Sequence, residues 1–497
     1  MSGLMPKQNN DYISILKSTS LFGVVQVFSI LISIIRSKVI AIWIGPIGIG
    51  VIGLLNSTIG LIGEFTKLGI DTTAVRDIAY AKSNDRERIP IVVSSLRKIV
   101  WFTGLLGVIV TLISSPLLSK LAFGNYDYTL AFVLISTTLL FKQLSSGQLA
   151  ILQGLKKLRF LAKANLIANF IGLLITLPLY YYFRIDAIVP SIIIISIVNL
   201  FFSWWYSRQI KIKSIKVSNR EALSEGRQML KLGFMLSLRG LISLAALYAL
   251  QIFISRFGSV TQVGFYTAGF VILNSYVGLI FNAMRTDYFP RLMTIIDDEV
   301  KVRNIVMKQS LIALLIVTPI IVLFLTLAPT VVEVLYSEEF LVIVGMVSWG
   351  ILATVFKCVS WSMGYVILAK GDSGLFIKTA VLFNILLFSI SAIGYSYYGL
   401  VGLGVGFLIY YILHFLIVKF ITYKTYNLYF NKEFYFVFFM SILFCFIAFF
   451  AIFLEQIVLK YSLMILVILI STIFTILQLN KRINIIETFK DFKNRKN

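Results

Sequence analysis

About fourteen times along this chain, some twenty predominantly apolar residues run without a break. A helix needs ~20 such residues to cross the hydrocarbon core of a bilayer. The runs fall near 19–42, 47–69, 91–115, 129–152, 164–183, 187–207, 232–255, 263–284, 309–329, 341–368, 375–395, 400–422, 434–454 and 461–479. They are continuously apolar and do not alternate, so the expected structure is an all-α integral membrane protein with about 14 transmembrane helices, not a barrel. The opening stretch has no short apolar core with a cleavage site, so the first run reads as a retained span.

Composition narrows the function classes. Hydrophobic residues make up 59 % and charged residues 13 % of the 497, against ~45–50 % and ~25 % in soluble domains. That excludes a soluble enzyme, a disordered chain, a nucleic-acid-binding domain and a secreted disulfide scaffold. Cys358 and Cys445 lie far apart inside apolar runs, without zinc or redox spacing. One histidine, His414, leaves little for histidine chemistry; beside Tyr410 and Tyr411 it reads as a buried helix residue.

The net charge of +23 is a matter of topology. With a cytoplasmic N-terminus, most Lys and Arg residues gather on the cytoplasmic side, as the positive-inside bias requires. The richest loop runs from Arg208 to Lys231, and the tail carries Lys481, Arg482, Lys490, Lys493, Arg495 and Lys496. Only Lys120, Arg184, Arg256 and Lys460 fall outside. Both termini are therefore expected to be cytoplasmic, with an even number of spans and attraction to anionic membrane lipids.

The basic loop divides two halves that echo each other. Spans 1–6 occupy 1–210, a cytoplasmic linker 211–230, spans 7–12 occupy 231–425, and two extra spans with a basic tail fill 426–497. In the first half a short glycine-rich turn, Gly45 to Gly50, leads through a span to Asp71 and Arg76. In the second, Gly258 to Gly264 leads to Arg285, Asp287 and Arg291. Two pseudo-equivalent six-helix lobes rocking around a central site are a transporter arrangement.

A charge at bilayer depth costs ~2.5–3.5 kcal/mol on insertion scales, so it should face protein or water. Gln26, Ser29, Ser33 and Arg36 follow three-to-four spacing on the first span. Asn56, Glu64 and Lys67 continue a stripe with Gly60, Gly63 and Asp71 on the second, where Glu64 and Lys67 can also pair across one turn. Arg239, then Asn274, Asn282 and Arg285, mark spans seven and eight. Lys142 and Lys357 complete the deep bases, the latter near Thr354, Ser360 and Trp361. Glu64 is the one acid well inside a span. This sign favours an anionic cargo such as a diphosphate over a cationic drug.

Gly402, Gly404 and Gly406 sit in an apolar span with no preceding strand, so they read as close helix packing and not a nucleotide loop. No Walker lysine loop occurs. A membrane glycosyltransferase or polymerase would carry a large extramembrane loop with catalytic residues, and the external loops here are too short for one.

Several segments carry a family resemblance over roughly 12–425. They are Leu16 to Ser20, Arg36 to Ala41 leading to Gly45–Val51, Leu68 to Asp71, Val263 to Tyr266, and Asp287 to Leu292. The chain resembles the Wzx-type O-antigen flippases of the multidrug/oligosaccharidyl-lipid/polysaccharide exporter superfamily. The resemblance implies a V-shaped, two-lobed carrier in the bacterial inner membrane. It implies an undecaprenyl-diphosphate-linked oligosaccharide as cargo, flipped from the cytoplasmic to the outer leaflet. By analogy Arg36, Lys67, Arg239 and Arg285 would meet diphosphate or acidic sugars, and Asn56, Asn274 and Asn282 sugar hydroxyls. No cofactor is implied, and Glu64 is a candidate for H+ or Na+ coupling. Polysaccharide polymerase and chain-length proteins are the implied company. The two extra spans depart from the common twelve, and a lipid-linked peptidoglycan precursor flippase of the superfamily also has fourteen. A drug or metabolite antiporter is the other reading of the same fold.

Overall fold

The computed structural model describes the backbone of residues 6–213, 215–276 and 278–483, with side chains from Phe28 to Arg482 except at scattered positions within 219–239 and 275–287. Among the described residues all regular structure is helical. In chain order the helices are α1 (Pro6–Lys67), α2 (Ile70–Asn84), α3 (Ile89–Phe123), α4 (Thr129–Gly154), α5 (Leu158–Phe183), α6 (Ile188–Arg208) and α7 (Asn219–Phe257). They continue as α8 (Val260–Val271), α9 (Gly278–Met293), α10 (Glu299–Leu335), α11 (Val344–Ala369), α12 (Ser373–Tyr426), α13 (Lys432–Ala451) and α14 (Ile457–Ile483).

Ten helical stretches among the described residues are long and apolar enough to cross a membrane. Three are too long for one crossing: Phe28–Lys67, Leu158–Arg208 and Ser373–Tyr426, of 40, 51 and 54 residues. Each contains a residue with left-handed φ: Gly45 (φ 65°, ψ −168°), Arg184 (φ 51°, ψ −124°) and Gly399 (φ 56°, ψ −136°). At Gly399 the chain doubles back, because a Cβ placed on Gly394 would meet the Gly402 carbonyl and one on Gly402 would meet that of Gly394. Residues eight apart on a straight helix would be separated by ~12 Å. Counting these three as pairs, and adding the broken helix from Val260 to Met293, recovers the fourteen apolar runs. That broken helix carries a π-helical turn at Ile272–Tyr276.

Packing divides the chain into two compact units, Met1–Gly264 with Leu335–Ser337, and Phe265–Val334 with Glu338–Asn497. In the first, α2 buries Ile70, Thr73, Ala74, Ile78 and Ala81, one face at helical spacing. The four apolar residues of that face join Leu96, Ile99, Ile151 and Met229 in an apolar cluster. Helix α7 is fastened to its neighbours at both ends. Ser255 donates to the Ala122 carbonyl at 2.8 Å, and Arg256 donates to those of Leu121, at 3.2 Å, and Lys120. Carbonyls in the last turn of a helix lack full intrahelical pairing, so the Arg256 donors help to satisfy the end of α3. At the other end Arg88 pairs with Glu225. There the backbone of α7 lies against the α1–α2 joint: a Cβ on Gly233 would collide with the Leu68 carbonyl.

In the second unit α11 is the most enclosed helix. From Gly350 to Ala369 every side chain is buried except those of Phe356, Lys357, Trp361, Gly364, Tyr365 and Leu368. The two C-terminal helices dock within this unit. Trp349 of α11 meets Phe449 of α13 at 4.4 Å between ring centroids, and Thr475 of α14 donates to the Leu315 carbonyl of α10 at 3.0 Å.

Candidate functional site

Arg36 lies in the first arm of α1, nine residues before the break at Gly45. Its Nη2 donates to the Asn169 carbonyl of α5 at 3.3 Å, while its Nε is buried without a partner among the described residues. A guanidinium has five N–H donors and no acceptor. Among the described residues no carboxylate pairs with Arg36, so its charge is held in place by one carbonyl and not neutralised. Ser33 turns back to the Ser29 carbonyl at 2.9 Å. The side chain of Gln26 lies outside the described residues.

Lys67 behaves differently. Its ammonium stands 2.7 Å from Glu64 of α1 and 3.3 Å from Asp71 of α2, three charged groups around the α1–α2 joint with a net charge of −1. Glu64 also lies against α7, since a Cβ on Gly240 would come within 3.2 Å of its Oε1. One turn and more away Asn56 is exposed, and the space beside Gly60 is open. Lys142 is exposed at the middle of α4, and among the described residues it forms no ion pair. A polar surface at this depth needs water or cargo against it, because lipid offers no hydrogen bonds.

In the second unit Lys357 donates to Asn274 Oδ1 at 3.2 Å. Its ammonium also faces the rings of Phe281, at 5.5 Å, and Tyr411, at 5.2 Å. Ring faces attract a cation through their quadrupole. Lys357 is thus solvated by an amide and two aromatic rings, with no carboxylate partner among the described residues. Asn274 sits on the π-helical turn, a helix irregularity that often marks a functional position. The side chains of Arg239, Asn282 and Arg285 lie outside the described residues. Phe281 and Tyr411 were not legible as cage walls; their only sequence signal is aromatic character in a span. Trp361, one turn beyond Lys357, meets Phe281 at 5.8 Å, Tyr288 at 5.8 Å and Tyr365 at 4.8 Å. His414 packs against Phe383 at 4.1 Å, inside an aromatic cluster.

Residues 39–345 match the family model described as polysaccharide biosynthesis protein. The chain belongs to this family. A candidate O-antigen transporter of Shigella flexneri is 24 % identical over 334 residues, covering 66 % of this chain and 78 % of that protein. Among solved structures, the lipid II flippase MurJ in an inward closed conformation superposes with a TM-score of 0.68 at 14 % identity, covering 92 % of this chain and 99 % of that one. An inward-facing multidrug resistance MATE family transporter of the MOP superfamily gives 0.63 at 16 % identity, covering 80 % and 94 %. These likenesses establish the fold. Family and apolar helices together make this polysaccharide biosynthesis protein a multi-pass membrane protein.

Proposed function

We propose that this protein is a flippase that carries an undecaprenyl-diphosphate-linked oligosaccharide from the cytoplasmic to the outer leaflet of a bacterial inner membrane by alternating access. The observation that carries the reading is the sign of the membrane-depth charge. Arg36, Lys142 and Lys357 have no carboxylate partner among the described residues, while the deep acid Glu64 is taken up by Lys67. Fixed positive charge in a low-dielectric site attracts a diphosphate or an acidic sugar and repels a cationic drug. Charge-assisted hydrogen bonds from arginine to phosphate oxygens are strong and geometrically specific. The family's role in polysaccharide biosynthesis and the Shigella relative support a glycan as the rest of the cargo.

On this reading Arg239 and Arg285 are further candidate contacts for the anionic cargo, Asn56 and Asn282 for sugar hydroxyls, and H+ or Na+ movement through the Glu64 group is the candidate coupling. Polymerase and chain-length proteins act on the delivered repeat unit. The test is a strain lacking the protein, in which polyprenyl-linked glycans are extracted and their leaflet determined. Complete repeat units trapped on the cytoplasmic leaflet, released when the gene is restored, are expected. Units that cross normally would sink the reading. Drug or metabolite export dependent on Glu64 would favour the antiporter reading instead.

A further inference from the structure

We propose that the open stripe of α11, formed by Lys357, Trp361, Gly364 and Tyr365, is a sugar-stacking subsite. It takes the apolar faces of pyranose rings on Trp361 and Tyr365 and an anionic group at Lys357. The inference rests on the glycan reading above and names the part of the cargo that this surface holds.

The stripe stands out because its helix is otherwise closed. Between Gly350 and Ala369 the residues only partly buried, besides Phe356, recur at three-to-four spacing on one side of α11. Phe356 belongs to another side, where its ring meets Phe415 and Phe438. From Lys357 to Tyr365 the helix rises ~12 Å, the length of a short oligosaccharide. A Cβ added to Gly364 would meet nothing within 4 Å, and the same holds for Gly278, one turn before Phe281 on α9. Aromatic side chains therefore stand beside unfilled space, not inside a packed core. Lys357 stands on the same stripe, and its ammonium has donors to spare beyond the one given to Asn274.

The rings are also braced. Trp361 and Tyr365 meet edge to face, with 65° between their planes. Behind them stands Tyr288, buried, with its hydroxyl donating to the Ser362 carbonyl at 2.7 Å. Tyr365 is flanked further by Phe289 at 5.6 Å. Rigid aromatic surfaces bind with little loss of side-chain freedom. Pyranose rings offer a face of C–H groups to such surfaces while their hydroxyls remain in water. At the head of the stripe the Lys357 ammonium lies between Asn274, Phe281 and Tyr411. An anionic group on the glycan, or the diphosphate itself, gains a charged hydrogen bond there.

The test uses the full-length protein in a cell lacking its own copy, with the cell's surface polysaccharide as the probe and export expressed per molecule of membrane-inserted protein. Trp361→Leu and Tyr365→Leu keep an apolar side chain but remove the ring face. Each is expected to lower export about tenfold. Trp361→Phe and Tyr365→Phe are expected to stay within about twofold of wild type. Trp361→Met provides a second non-aromatic side chain where the Leu variant accumulates poorly. Equal export by the Leu, Met and Phe variants would overturn the subsite and assign the stripe to packing or to the lipid tail. A wild-type protein that exports no glycan would overturn the functional reading itself, before the variants are compared.

Discussion

At Lys67 two carboxylates flank one ammonium within two turns, with side-chain exposures of 26 % for Lys67 and 18 % for Glu64. Removing the base leaves Glu64 and Asp71 facing each other across a half-buried turn. Lys67→Gln is expected to cost roughly 1–2 kcal/mol, less than the loss from breaking a fully buried pair. The double change Glu64→Gln with Lys67→Gln should recover part of it, which thermal unfolding in detergent reads as a double-mutant cycle. Arg36 has no such partner, so its loss should act on transport and not on folding. Arg36→Gln is expected to reduce glycan export at least tenfold at unchanged membrane abundance. Arg36→Lys should restore it only in part, since an ammonium cannot hold the Asn169 carbonyl and a phosphate with one planar fork. Wild-type export by Arg36→Gln would remove this residue from the cargo path.

Among the elements, the hairpin within α12 depends on one backbone angle. Gly399 turns at φ 56°, where a Cβ costs ~1–2 kcal/mol. Gly399→Ala should therefore lower the unfolding free energy by about that amount, with the unfolding temperature as the readout. Helix α7 starts from a reciprocal cap: Glu221 N–H donates to Ser218 Oγ at 3.1 Å, and Ser218 N–H donates to Glu221 Oε2 at 2.7 Å. Ser218→Ala should cost about 1 kcal/mol. The Ser218 backbone N–H, and then its hydroxyl, hold the Glu221 carboxyl below the ordinary carboxylate range. A depressed folded value means that the carboxylate's contribution is complete above the unfolded value of ~4.3 and fades as pH falls through the lower folded value. The stability difference between wild type and Glu221→Gln should accordingly shrink below about pH 4. A difference that stays constant from pH 7 to pH 3.5 would show that the carboxylate is not what caps the helix.

For the whole molecule, topology is the property to test. Lys82 lies outside the spans, donates to the Leu155 carbonyl at 2.7 Å, and is pushed below the usual lysine range by burial and by Lys156, Lys157 and Arg86. Such crowding of bases suits a surface facing anionic lipid. We propose that this surface and both termini are cytoplasmic. A reporter fused after Asn497 is expected to be cytoplasmic, and one inserted between Gly124 and Tyr128 to be external. An external signal after Asn497 would make the total number of crossings odd, and a cytoplasmic signal between Gly124 and Tyr128 would make the number before that loop even.

The fourteen crossings, the all-α class and the breaks between paired spans could be read from the chain alone. Each rests on local physics: continuous apolar length, and glycines at Gly45 and Gly399 where a helix must reverse. The likelihood of a Glu64–Lys67 pair was also legible, because one helical turn fixes that distance. The neighbours across helices were not. Nothing in the spacing shows that Arg256 serves the end of α3, or that α7 packs in the same unit as α1–α6 although it follows the basic linker. Nor does it show that Lys357 is caged by Asn274, Phe281 and Tyr411. Those contacts join residues tens of positions apart. In a chain where nearly every span is apolar all round, hydrophobic periodicity carries little information about which face meets which helix. Close packing among small residues, and the few polar groups that must find partners, decide that in three dimensions.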